Sequence, residues 1–143
     1  MAFALRTHLQ GGGCKVYAPD IKLKVETANS IFYPAVFVTC EQNSAPLVKK
    51  DARLIVEVLS PSTEAYDRGR KFGFYRQLPG LMEYLLVNTD LPRVELFRRA
   101  GESQWLLQAF HPGQSVTLES VGLSLPVEGV YEEVDFGEPS EAP

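Results

Sequence analysis

From Ile21 to Glu26 apolar and polar residues alternate: Ile21, Leu23 and Val25 share one face, while Asp20, Lys22, Lys24 and Glu26 share the other. A period of two predicts a half-buried strand within "CKVYAPDIKLKVE", residues 14–26. "TANS" then supplies a turn, and "IFYPAVFVTC" has the β-branched and aromatic content of the returning strand of a hairpin. Pro34 has no N–H to donate, so the early part of that strand is expected at an edge or a bulge. After a polar link over Lys49 to Arg53, "LIVEVLS" (residues 54–60) is apolar on both faces except at Glu57, the pattern of a central strand covered on each side. Residues 63–78, "TEAYDRGRKFGFYRQL", place Phe72, Tyr75 and Leu78 at helical spacing between Ser/Thr capping candidates and a "PG" stop.

Four short strand-like runs follow, "EYLLVNT", "RVELFRR", "WLLQAF" and "SVTLES", separated by turn chemistry in "DLP", "AGES" and "HPGQ". At the other end, Phe3 to Gln10 reads as the last turns of a helix stopped by Gly11 to Gly13. The order is helix, several strands, one helix, then an antiparallel meander. That is an α/β (α+β) chain with a mixed central sheet and a helix packed on it.

At 143 residues and 45% hydrophobic, the chain is expected to form one domain over residues 1–134. The tail 135–143, "DFGEPSEAP", is acidic and proline-containing and is expected to be disordered. The first residues lack the pattern of a signal peptide and no run is long and apolar enough for a membrane span, so the cytoplasm is the expected location. Cys14 and Cys40 form no CxxC pair and are expected to be free and buried. A net charge of −4 argues weakly against a nucleic-acid partner, although a local basic patch can bind phosphate under a negative total.

Glu57 is the position where pattern and chemistry disagree. A lone carboxylate in a central strand costs several kcal/mol unless it is paired, protonated or bound to a metal. The near partners are Lys71, Arg68 and Arg70, on the helix that leaves the same strand through "SPST" and folds back over it. Metal-assisted phosphodiester hydrolysis uses two carboxylates to hold Mg²⁺ and a lysine to orient or deprotonate water. The alternative is an ion pair of Glu57 with Lys71 that only fixes helix against sheet.

"LIVEVLSPSTEAYDRGRKFGFYRQLPGLMEYLLV", with "FYPAVFVTC" before it and "RVELFRR" after it, closely resembles the Uma-two family of restriction endonuclease-like proteins. The family's fold belongs to the PD-(D/E)xK nuclease class. "EVLSPST" followed by Asp67, Lys71 and Tyr75 at four-residue spacing carries the likeness. The resemblance implies a restriction endonuclease-like core, Mg²⁺ or Mn²⁺ as cofactor, DNA as substrate, Glu57 as a metal ligand and Lys71 as the group that positions water. Asp67 and Tyr75 are supporting residues.

Ala35 departs from the family pattern. Relatives read Tyr-Pro-Asp-Val where this chain reads Tyr33-Pro34-Ala35-Val36, and alanine cannot ligate a cation. Asp20 on the partner strand is a substitute if the register brings it round, and Asp67 is another, although its spacing to Lys71 suits an ordinary helix ion pair. The chain also begins later than its relatives, which favours a homodimer covering exposed sheet. Two readings from different classes therefore stand: a metal-dependent endonuclease impaired at Ala35, or a catalytically inactive homodimer acting as a binding module. His8 and His111 have no metal-ligand spacing and read as surface or cap residues. Lys22, Lys24, Lys49, Lys50 and Arg53 could touch a DNA backbone or simply form a solvated face.

Overall fold

The computed structural model describes residues 1–17, 19, 21–41 and 47–131. Asp20 and the acidic tail lie outside the described residues. Along the chain come α1 (Ala2–Leu9), β1 (Lys15–Tyr17), β2 (Lys22–Val25), a 3-10 turn (Glu26–Ala28), β3 (Ser30–Phe32), β4 (Val36–Thr39), β5 (Val48–Lys49) and β6 (Leu54–Val58). Then follow α2 (Glu64–Arg68), α3 (Arg70–Tyr75), β7 (Glu83–Val87), β8 (Val94–Arg99), β9 (Trp105–Phe110), β10 (Ser115–Leu118), β11 (Leu123–Pro126) and α4 (Val127–Val130).

Six strands form a mixed sheet in the order β1-β4-β6-β7-β8-β9. Only β6 and β7 run parallel, and α2 and α3 make the crossover between them; the other neighbours are antiparallel. A small sheet, β3-β2-β5, and the hairpin β10-β11 complete the fold. Among the described residues no helix is long and apolar enough to cross a membrane.

Alternation in "LIVEVLS" decides what each sheet face touches. Leu54 and Val56 join Leu85, Val87, Val94 and Leu96 in a core closed by Leu5, by Val116 and Leu118 of the hairpin, and by Val127 and Val130. Ile55 and Leu59 join Tyr84 and Leu86 in a second core closed by Phe72 and Tyr75 of α3 and by Leu23, Val25 and Phe32 of the small sheet. Glu57 falls between Ile55 and Leu59 and so faces α2 and α3.

The sequence pattern differs from the structure where proline or glycine interrupts it. "CKVYAPDIKLKVE" is not one strand: β1 lies in the large sheet and β2 in the small one, with Pro19 between them. The hairpin exists as β2 paired with β3, closed by the 3-10 turn and by Asn29 in the left-handed region. Its returning run breaks at Tyr33-Pro34-Ala35, after which β4 joins the large sheet. The polar link contains β5, which pairs parallel with β2. The single helix is two, broken at Gly69 (φ −106°, ψ −90°). The meander holds through β9, but β10 leaves it to pair with β11.

Cys14 and Cys40 form a disulfide, which overturns the expectation of free thiols. The cause is register: β1 pairs with β4 so that Lys15 faces Thr39, and Cys14 and Cys40 are the next positions outward on the two strands.

Glu83, 1% exposed, clamps the outer hairpin to the sheet. Its Oε1 accepts from the Ser120 N–H at 2.8 Å and from the Ser120 hydroxyl, and its Oε2 accepts from Arg98 Nε at 3.0 Å and the Glu119 N–H at 3.2 Å. Removing that acceptor strands several donors in a dry site. Glu83→Ala is expected to lower unfolding stability by about 3 kcal/mol, read as a fall in urea midpoint with little change in m-value.

Candidate functional site

Three donors converge on the Glu57 carboxylate, which is only 5% exposed. Lys71 Nζ lies 2.8 Å from Oε2, the Tyr75 hydroxyl donates to the same oxygen at 2.7 Å, and the Ala35 N–H reaches Oε1 at 3.4 Å. Lys71 also lies 3.4 Å from Oδ1 of buried Asp67, one helical turn earlier, so a single ammonium serves two carboxylates. The Asp67 carbonyl accepts from the Tyr84 hydroxyl at 2.9 Å, which ties α2 to β7.

Burial alone would push the Lys71 ammonium down, but its attraction to Glu57 and the hydrogen bond it donates there, with Asp67 adding to both, hold it above its ordinary 10.5. Burial, and then Glu57, push the Tyr75 hydroxyl far up, so it stays a protonated donor. Burial and the same carboxylate likewise raise Tyr84.

Of the three basic residues considered for Glu57, Lys71 takes the role. Arg68 turns instead to Glu95 on β8, with a fork of Nη1 to Oε2 at 2.6 Å and Nη2 to Oε1 at 2.5 Å, and its Nε reaches Glu64 at 3.0 Å. The Glu95 hydrogen bond, against some loss from burial, raises Arg68 further. The reciprocal bond from Arg68 holds Glu95 below the usual carboxylate range, despite burial and with help from Asn88. Arg70 stays exposed, with its guanidinium 5.7 Å from the Phe74 ring.

Glu57 pairs in register with Leu86, and Leu86 with Glu95, so the two acids stand in one row across β6, β7 and β8. Glu95 was missed in the sequence, yet its signal resembles that of Glu57: a lone acid between Val94 and Leu96 in an apolar strand.

Ala35 lies directly opposite Glu57. Register pairs Val36 with Val56 and Phe37 with Ile55, so position 35 continues the ladder onto Glu57, on the face that Phe37 shares with α3. A carboxylate at this position would stand beside that of Glu57. Asp20 lies outside the described residues, and Asp67 is brought to the group only through Lys71. Among the described residues no three His, Cys, Asp or Glu side chains gather as a metal site. Of the proposed phosphate contacts, Lys49 is buried with its ammonium 5.4 Å from the Tyr17 ring, and Lys50 pairs with Glu26 at 3.4 Å. His8 is exposed and binds the Val121 carbonyl at 2.8 Å, as a surface residue would.

Comparison with known proteins identifies the fold and the family. A solved structure from Anabaena variabilis, described as "a putative nuclease belonging to DUF820", shares the fold with a TM-score of 0.72 at 15% identity, covering 91% of this chain and 75% of that one. Two uncharacterized proteins of Synechocystis sp. are 36% identical over 135 residues (90% of this chain, 69% of the relative) and 38% identical over 97 residues (65% and 55%). The Uma2 family model, described as "Putative restriction endonuclease", matches residues 1–128, and the chain belongs to that family.

Proposed function

We propose that this chain is a DNA-binding protein on a metal-dependent endonuclease scaffold, with phosphodiester hydrolysis impaired by Ala35. The observation that carries the proposal is the methyl group of Ala35 opposite Glu57, where a second carboxylate would complete a cation site. The groups around Glu57 are an ammonium, a phenol and an amide N–H, all donors. Such a shell suits an anion, whereas Mg²⁺ requires oxygen acceptors and takes few of them from protein. The residues present therefore do not fit Mg²⁺ or Mn²⁺, and Lys71 supplies the positive charge that Glu57 requires. DNA as the bound substrate rests on family membership.

A homodimer is favoured by β9, which closes the sheet order and carries no charged side chain along "WLLQAF". Leu106 is 64% exposed and Leu107 55%. An uncharged open edge is a template for a second copy of the same strand. If β9 forms the interface, Leu107→Lys yields a monomer by light scattering where the unaltered chain is a dimer. A mass unchanged by the substitution excludes this edge.

Ala35→Asp tests the impaired centre. The restored chain is expected to cleave plasmid DNA with Mg²⁺ or Mn²⁺ at least about 100-fold faster than the unaltered chain, about 2.7 kcal/mol of barrier. Mg²⁺ is also expected to raise the melting temperature of the restored chain alone. Adding Glu57→Ala should abolish both effects. Equal inactivity of restored and unaltered chains, with no metal effect on melting, overturns the reading, and so does Glu57-dependent cleavage by the unaltered chain.

Lys71→Met leaves two buried acids without their shared counter-charge and is expected to cost about 3 kcal/mol near pH 7. The lysine's folded value lies above its unfolded one, so its stabilisation is complete below about pH 10 and is lost as pH rises through the raised value. Urea midpoints of the two proteins should therefore converge on the alkaline side. A gap that persists undiminished to about pH 12 would contradict the assignment.

A further inference from the structure

The second core gathers most of the aromatic residues near the site: Phe32, Phe72, Phe74, Tyr75, Tyr84, Phe97 and Trp105 touch one another across α3 and the sheet. Tyr33 and Tyr66 remain outside it, 53% and 43% exposed. Among the described residues neither hydroxyl has a hydrogen-bond partner and neither ring stacks on another aromatic ring. Both belong to segments that border Glu57. The Tyr66 ring centroid lies 5.9 Å from Lys71 Nζ, the ammonium that holds Glu57. Tyr33 stands two residues before Ala35, whose N–H faces Glu57 from β4. One ring thus arrives on α2 and the other on the link from β3 to β4.

We infer that Tyr33 and Tyr66 are stacking surfaces for unpaired bases, and that the nucleic acid taken by this chain is single-stranded at the Glu57 group. The inference rests on the nucleic-acid reading above and narrows it.

The cations that reach the group from α2 and α3 are engaged, Lys71 by Glu57 and Asp67 and Arg68 by Glu95 and Glu64. Arg70 beside Lys71 is exposed and can meet a phosphate of a strand or of a duplex, so discrimination between the two falls to the rings. Every base offers a face to a tyrosine ring, and that face is accessible only when the base is unstacked from its neighbours. Binding carried by stacking should also weaken less with salt than binding carried by phosphate contacts.

Fluorescence anisotropy with the full chain tests the inference. The probes are fluorescein-labelled oligothymidylate and oligouridylate of twenty nucleotides and a labelled duplex of equal length. Tighter binding of a single strand than of the duplex is expected, and the two oligonucleotides distinguish DNA from RNA as the source of the base. Tyr66→Ala and Tyr33→Ala should each weaken single-strand binding roughly 5- to 100-fold, and Tyr66→Phe should keep it within about 2-fold, because the ring and not the hydroxyl stacks. Both residues are exposed, and an unchanged circular dichroism spectrum verifies the fold. Duplex binding as tight as single-strand binding, or alanine variants that bind like the unaltered chain, overturns the inference. Cleavage by Ala35→Asp is scored separately on the same oligonucleotides. Cleavage indifferent to both tyrosines removes the stacking role and leaves the nuclease reading, whereas tyrosine-dependent binding without cleavage does the reverse.

Discussion

A carboxylate on the helix-covered face of the central strand must be met by donors that arrive with the helix. Glu57 imposes that constraint, and the crossover from β6 to β7 is built to satisfy it. Lys71 and Tyr75 reach one carboxylate oxygen from successive turns of α3, and Asp67, one turn before Lys71, shares the same ammonium. Two strands away in the same row, Glu95 makes the same demand and Arg68 answers it. The helices are therefore pinned to the sheet at two points, with Leu86 between them. Removing one member of such a pair leaves a buried charge without a partner, which costs more than the intact pair contributes.

Those contacts also define the chemistry open to the group. A carboxylate surrounded by an ammonium, a phenol and an amide N–H is tied into a structural hydrogen-bond network. A second acid at position 35 would compete with Lys71 for positive charge and make room for a cation. In the function proposed above, catalysis and anchoring would draw on the same residues. On that proposal the difference between them lies in one side chain across the ladder from Glu57.

Much of this was legible in the chain because apolar periodicity reports burial directly. The β2–β3 hairpin, the central strand, the helical crossover and the β7–β8–β9 meander all follow from alternation and turn chemistry. That Glu57 meets a basic residue of the following helix came from one rule, that this helix folds back over its strand, whereas the choice of Lys71 over Arg68 and Arg70 needs the seated helix. What escaped depends on which strands become neighbours. Cys14 meets Cys40 only because β1 lies against β4, and no local pattern states that pairing. β1 and β2 lie in two different sheets on either side of Pro19, because periodicity records which face is buried and not against what. Tyr75 carried helical spacing and was named a supporting residue only through the family resemblance. Its hydroxyl bond to Glu57 appears only once α3 is seated.

Position 35 matters little to the fold and much to the site. Ala35 is half-buried at the mouth of the ladder, outside both apolar cores, so exchanging it removes no packed side chain. The pin at Glu95, the clamp at Glu83 and the two cores lie elsewhere and do not register the change. That separation is consistent with a fold shared at 15% identity with the Anabaena protein. Once Lys71 can neutralise Glu57 alone, the structural demand on a second acid disappears, and only selection for cleavage would retain it.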